Sequence, residues 1–273
     1  MNEDVIGVIP AAGSAHRIAP LPCSKELFPI GFRDDAADGE PRPKVATHYL
    51  LDKFRAAGVQ SAYIVIRTGK WDIPAYFGDG AIAGVNLSYL VIADSLGPAD
   101  TIDRAYPFVR DKVVAFGFPD IVFEPENVFA RLFEQLSTSG AEAVIGLCPP
   151  ENVRSSDMVK IDSHGRVRGM VLKPSGTTLR YSWLCAVWRP AMTEFLHHFV
   201  EGARLDPNAR STWHQLDSGG DLPIGAAFKA AVEQGVHVHS SVLPTESFID
   251  IGTPQNLVRA VHEFQAVPSA ERL

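Results

Sequence analysis

The sequence predicts an α/β domain built on a largely parallel sheet. Strand-length apolar runs recur from one end of the chain to the other, and helical apolar patterns lie between several of them. The composition, 46% hydrophobic and 21% charged over 273 residues, is that of a globular chain with one large core. A single domain spanning 1–273 is therefore expected, with residues 33–43 and 203–221 as loop insertions.

Taken in order, residues 5–9 read as the first buried strand. Val45, Tyr49, Leu50, Phe54 and Ala57 then fall on one helical face. Residues 62–66, 87–92 and 113–116 are further strands, and Asp100 is expected only to cap the helix of Ile102, Ala105, Tyr106 and Val109. Pro125 stands where a first-turn proline belongs ahead of Val128, Phe129, Leu132, Phe133 and Leu136. Strands follow at 143–148 and 183–188. The helix of Ile224, Ala227, Phe228 and Ala231 should stop near Gly235, and Thr253-Pro254 should start the last helix. The stretches from Phe32 to Pro43 and from Ala203 to Asp221, rich in Gly, Pro and charge, read as surface loops, with lids or homo-oligomer contacts as the alternatives.

Charge and cysteine usage exclude several classes. Lys+Arg 25 against Asp+Glu 32 gives a net charge of −7, which argues against a nucleic-acid coat. No stretch approaches the roughly 18 apolar residues of a membrane span. The three cysteines, Cys23, Cys148 and Cys185, are widely spaced and form neither a disulfide framework nor a C-x-x-C zinc pair. Cytoplasm is the default compartment.

The most informative segment follows the first strand: Pro10-Ala11-Ala12-Gly13-Ser14-Ala15-His16-Arg17, and then Ser24-Lys25-Glu26-Leu27-Phe28-Pro29. Small side chains let backbone N–H groups approach a polyphosphate, and an arginine and a lysine supply the balancing charge. A tight turn with a solvated Arg and Lys fits the octapeptide equally well. Neither G-x-G-x-x-G nor G-x-x-x-x-G-K-[ST] occurs, so a Rossmann dehydrogenase and a P-loop enzyme both lose ground.

These motifs resemble the L-A-(G/A)-G-x-G-T-R and P-K-x-L-x-P stretches of the sugar-1-phosphate nucleotidylyltransferases, and further segments match in the same order. They are Tyr76-Phe77-Gly78-Asp79-Gly80, Leu96-Gly97-Pro98-Ala99-Asp100, Phe116-Gly117-Phe118-Pro119-Asp120, Leu172-Lys173-Pro174 and Phe248-Ile249-Asp250-Ile251-Gly252-Thr253-Pro254. The resemblance covers roughly residues 5 to 264. It implies a three-layer α/β/α fold, GT-A-like and Rossmann-like, with a mixed, mainly parallel sheet.

The resemblance also implies a reaction. A sugar-1-phosphate oxygen attacks the α-phosphorus of a nucleoside triphosphate, and pyrophosphate leaves. Arg17 and Lys25 would act on the β- and γ-phosphates, while Ala11, Ala12, Gly13, Ser14, Gly97 and Asp120 would line the nucleotide. Asp120 and Asp250 would hold Mg²⁺, and Lys173 would hold the phosphate of the second substrate. Mg²⁺ favours carboxylates plus phosphate oxygens, so two acids suffice.

The pattern is broken in places. Ala15 replaces the loop's second glycine and His16 its threonine; if that position needs φ > 0, alanine costs on the order of 1 kcal/mol. Pro119 precedes Asp120, and Leu172 replaces the acid before Lys173. Asp157-Met158, Leu184-Cys185 and Ile92 stand where sugar- and base-reading residues are expected. The triphosphate side is thus better kept than the acceptor side. A binding-only regulator of the same fold is the rival expectation. A glycosyltransferase ranks third, because no D-x-D occurs. His237 and His239 alternate on a strand without a third ligand and read as exposed, and His197 and His198 are helix neighbours that do not face each other.

Overall fold

The structure is a computed structural model that describes residues 4–34, 39–206, 221–244 and 248–264. The chain runs through β1 (Val5–Ala11), β2 (Pro29–Asp34), β3 (Pro41–Val45), α1 (Ala46–Ala56), β4 (Ser61–Arg67), α2 (Asp72–Phe77) and β5 (Asn86–Ile92). It continues through α3 (Pro98–Asp103), α4 (Tyr106–Val109), β6 (Val113–Gly117), β7 (Ile121–Phe123), α5 (Val128–Ser139), β8 (Ala143–Cys148), β9 (Met158–Ile161) and β10 (Val167–Val171). Then come β11 (Tyr181–Trp188), α6 (Pro190–Leu205), α7 (Ile224–Glu233), β12 (Val238–Val242), β13 (Phe248–Asp250) and α8 (Pro254–Glu263).

The main sheet is mixed and mainly parallel. β1 lies between β4 and β6, parallel to both, and β5 extends the same set at its edge. β11 runs against β6 on one side and against β8 on the other, and β12 pairs parallel with β8. β11, at the middle of the sheet, and β10, at its edge, therefore run against the other strands. The first residues of β11, Tyr181 and Ser182, leave the β6 edge to pair with β9, which in turn carries β10.

Period-two alternation builds a core on each face. Ile9 and Ala11 of β1, Val113 and Ala115 of β6, and Val144 and Cys148 of β8 point to the face covered by α1 and α5. Ile6 and Val8, Val114 and Phe116, and Ile145 and Leu147 point to the other face, covered by α3, α4, α6 and α7. Helices thus lie on both faces of the sheet. A third, smaller cluster gathers Ile30, Tyr49, Val122, Ile249 and Ile251 under α8.

Three expectations need correction. Residues 33–43 are not simply a loop: Phe32 to Asp34 and Pro41 to Pro43 belong to an antiparallel β2–β3 hairpin, with Arg33 opposite Arg42. The proline-interrupted pattern hid this pairing, since proline is tolerated on such edge strands. Within 203–221, residues 203–205 close α6, and 207–220 lie outside the described residues. Pro125 precedes its helix rather than opening it; α5 begins at Val128 behind Asn127. Thr253 does cap α8, accepting the N–H of Asn256 at 3.3 Å.

The fold positions the site through its centre. β1 and β6 are adjacent and parallel, so the turns after Ala11 and Gly117 emerge side by side at the carboxyl edge, where ligands bind in open α/β sheets. Gly7, in the amino-terminal half of β1, lets α1 close on the sheet: a Cβ would sit 2.7 Å from both Ala62 Cβ and the Phe54 ring. Gly7→Val should therefore destabilise the chain by about 1–3 kcal/mol through overpacking, read as a lowered urea midpoint with unchanged m-value.

Candidate active site

A cleft of about 430 Å³ opens at this carboxyl edge. One wall is the turn after β1, with Ala12, Gly13, Ser14 and Arg17; another is Phe118, Asp120 and Ile121 after β6. Lys25, Gly97, Asp221 and Asp250 complete it, with Arg67 and Asp94 at the ends of β4 and β5. Most of the residues expected from sequence meet here. Two stand apart: Ala11 is buried behind the cleft, and Lys173 lies beyond Asp221, close enough to act on its charge.

Asp120 and Asp250 converge because of a two-stranded ribbon. β7 and β13 pair antiparallel with Asp250 opposite Ile121, and the N–H of Ile251 donates to the carbonyl of Asp120 at 3.0 Å. Each acid meets one cation. The Lys25 ammonium is hydrogen-bonded to Asp120 Oδ2, and Arg17 Nη2 lies 3.5 Å from Asp250 Oδ2. Asp250 Oδ1 also accepts the N–H of Gly252 at 2.8 Å.

The two acids differ in electrostatic state. Burial pushes Asp120 up, but the Lys25 charge and hydrogen bond outweigh it and hold the carboxyl below its usual range. Burial raises Asp250, and the negative charge of Asp120 raises it further. Lys25 is lowered by burial yet ends above its usual value, because Asp120, Glu26 and Asp250 all favour the cation.

The segment carrying Lys25 is braced by residues that sequence reading passed over. Asp72 accepts the N–H and hydroxyl of Ser24 at 2.6 and 2.8 Å. Lys70 Nζ donates to the carbonyl of Ala11 at 2.8 Å and to Glu26 Oε1 at 2.7 Å, tying the end of β1 to the residue after Lys25. Glu26 is 1% exposed. A signal was available: Lys70 follows a strand end, and a strand's carboxyl end is where ligand-facing charge collects.

Among the described residues, two non-glycines have left-handed backbone: Ala15 at φ 54°, in the turn after β1, and Lys173 at φ 39°, outside the cleft. The glycine replaced at position 15 is therefore one whose conformation the chain keeps. Its carbonyl accepts the N–H groups of Ile18 and Ala19 at 3.0 and 3.1 Å, which closes the turn.

Two acids held side by side, Asp250 raised by burial and by Asp120, are an incomplete oxygen set of the kind that could hold a divalent cation together with phosphate oxygens.

Two outcomes follow from this geometry. Ala15→Gly should stabilise the chain by up to about 1 kcal/mol and Ala15→Val should cost at least as much, measured by urea denaturation. Asp250→Asn should stabilise the ligand-free protein at neutral pH, because the amide still accepts from Gly252 but no longer repels Asp120. A raised folded pKa means that the folded state pays to ionise Asp250 above that value. The gain should therefore be full at neutral pH and vanish as acid protonates Asp250 in both states, which paired melts across pH 4 to 8 (about that range) would measure.

The chain matches known proteins over most of its length. A curated relative, the low-salt glycan biosynthesis nucleotidyltransferase Agl11 of Haloferax volcanii, is 23% identical over 258 residues, covering 93% of this chain. The chain spans 64% of the length of that relative. Among solved structures, one provisionally assigned as a glucose-1-phosphate thymidylyltransferase from Bacillus anthracis, in complex with sucrose, superposes with a TM-score of 0.78 at 18% identity, covering 98% of both chains. A UDP-glucose pyrophosphorylase complexed with UDP-glucose gives 0.75 at 15% identity, covering 95% of this chain and 97% of the other. Such likeness at low identity speaks for the fold. The sequence model described as "Nucleotidyl transferase" matches residues 6–266, and the chain belongs to that family.

Proposed function

We propose that this chain is a Mg²⁺-dependent nucleotidyltransferase that joins a nucleoside triphosphate to a sugar-1-phosphate or another small phosphate ester and releases pyrophosphate. The observation that carries this reading is the convergence of Asp120 and Asp250 beside Lys25 and Arg17 in one cleft. The names of the relatives, a nucleotidyltransferase and a UDP-glucose pyrophosphorylase, support it.

The chemistry asks the protein to bring two anions together. Unit charges about 4 Å apart repel by about 4 kcal/mol at an effective dielectric near 20, and these groups carry several charges each. Asp120 and Asp250 would hold Mg²⁺, which supplies neutralising charge and draws phosphate oxygens into place. Lys25 exchanges Asp120 for phosphate oxygens when the triphosphate arrives, and Arg17 exchanges Asp250 in the same way. Both cations then stand over the departing pyrophosphate, where preorganised donors matter most. The Gly13–Ser14 turn and Gly97 present backbone to the nucleotide. Lys173, outside the cleft proper, binds the phosphate of the second substrate. Attack is direct, by an acceptor phosphate oxygen on the α-phosphorus, so no protein nucleophile is required.

The binding-only alternative draws on Ala15 and Leu172. The left-handed backbone at Ala15 keeps the turn without glycine, which favours the catalytic reading.

Incubation with each triphosphate, Mg²⁺ and a panel of phosphate esters should release pyrophosphate. No turnover with any pair would overturn the proposal. Asp120→Ala and Asp250→Ala should abolish metal-dependent turnover with the circular-dichroism spectrum retained. Lys25→Gln should lower kcat by roughly 10² to 10³.

A further inference from the structure

Asp100 does more than cap a helix. It is 0% exposed, and both carboxylate oxygens are engaged. Oδ2 accepts the backbone N–H of Leu96 at 2.8 Å, and Oδ1 receives the guanidinium of Arg204, with Nε at 2.7 Å and Nη2 at 2.5 Å. The same guanidinium reaches Asp103 Oδ2 through Nη1 at 2.9 Å. Arg204 comes from the last turn of α6, and Asp100 from the first turn of α3.

Between Leu96 and that turn stands Gly97, which lines the cleft. Its backbone is held at φ 137°, where glycine is favoured, and its carbonyl accepts the N–H of Thr101 at 2.9 Å and the hydroxyl of Ser95 at 2.8 Å. The N–H of Leu222 donates to the carbonyl of Leu96 at 2.6 Å, so the loop is gripped from the far side as well.

A fully buried carboxylate paired with arginine is a poor device for stability alone, since well-packed apolar residues of like volume serve as well or better. Here the pair sets the direction of one backbone N–H beside the cleft. We propose that Asp100 and Arg204 are positioning residues for the nucleotide: Arg204 fixes the Asp100 carboxylate, which holds Leu96 and thereby the Gly97 backbone in contact distance of the bound triphosphate. The proposal rests on the nucleotide reading of the cleft.

The test is titration calorimetry of the full chain with UTP, dTTP, CTP, ATP and GTP in Mg²⁺, followed by steady-state kinetics with the best binder. The decisive variant is Asp100→Leu with Arg204→Met, which removes both charges, fills the space and leaves the Leu96 N–H without an acceptor. It should fold cooperatively with a somewhat lowered thermal midpoint, because Asp103 loses Arg204 but keeps His197 and the Leu96 N–H loses its acceptor. Its triphosphate Kd and KM should nevertheless rise at least tenfold, with kcat and the acceptor KM within threefold. Asp100→Asn with Arg204→Gln restores an acceptor for Leu96 and should return Kd to within threefold of wild type. A folded Leu/Met variant that binds triphosphate within twofold of wild type would overturn the proposal, as would failure of both double variants to fold, which would make the pair structural. Should the wild type bind none of the five triphosphates, the nucleotide reading itself falls and takes this inference with it. When the wild type binds and the Leu/Met variant binds equally well, only the positioning role is lost.

Discussion

Two like charges held side by side by a backbone ladder are the constraint around which the cleft is organised. The pairing of β7 with β13 joins segments far apart in sequence and fixes Asp250 beside Asp120. Neither acid can retreat, so the surrounding residues manage the repulsion. Lys25 takes one, Arg17 lies on the other, and the N–H of Gly252 adds a hydrogen bond. Burial and the charge of Asp120 together raise Asp250, so added positive charge beside the pair would favour both carboxylates.

Much of this was legible in the chain. Strands at the centre of the sheet read as unbroken apolar runs because both faces are covered, and Asp120 was found by its place after such a run. The hairpin of β2 and β3 was not legible, because prolines and charges mask edge strands that need bury only one side. β7, β9, β10 and β13 were missed for a related reason: they are short, from three to five residues, and their existence depends on partners rather than on local pattern. Glu26 was hidden because a buried ion pair between distant residues leaves no periodic trace, and Lys70 was signalled only by its place after a strand end. Asp100 was visible, but its partner Arg204 lies on another helix, and only the fold brings them together.

The segment around Leu172 and Lys173 departs from the family pattern in a coherent way. Val171 pairs with Met158, so Leu172 and Asp157 are the next positions along the same antiparallel ladder. The carboxylate missing at Leu172 thus has a counterpart across the strands. Burial raises Asp157, and the Lys173 charge, with the nearby Trp183 side chain and Lys173 N–H, pulls it back. A Cβ at Gly225 would come 2.1 Å from Asp157 Oδ2 and 3.1 Å from Leu172, so α7 closes tightly on this pair. The turn that presents Lys173 is consequently set by packed neighbours, while the turn after β1 and the segment of Lys25 rely on loops and charge.

The reversed strand at the middle of the sheet has a consequence for how the polypeptide is made. β6 has one neighbour, β1, already synthesised when it leaves the ribosome, whereas its other edge is completed only by β11, after α5, β8, β9 and β10 have followed. Nascent chains therefore carry an apolar strand with a row of unpaired amides and carbonyls until β11 (Tyr181–Trp188) has been made. Such an edge is a template for intermolecular pairing. Yield in a heterologous host should depend on chaperone supply during that interval more than on the final stability of the folded protein.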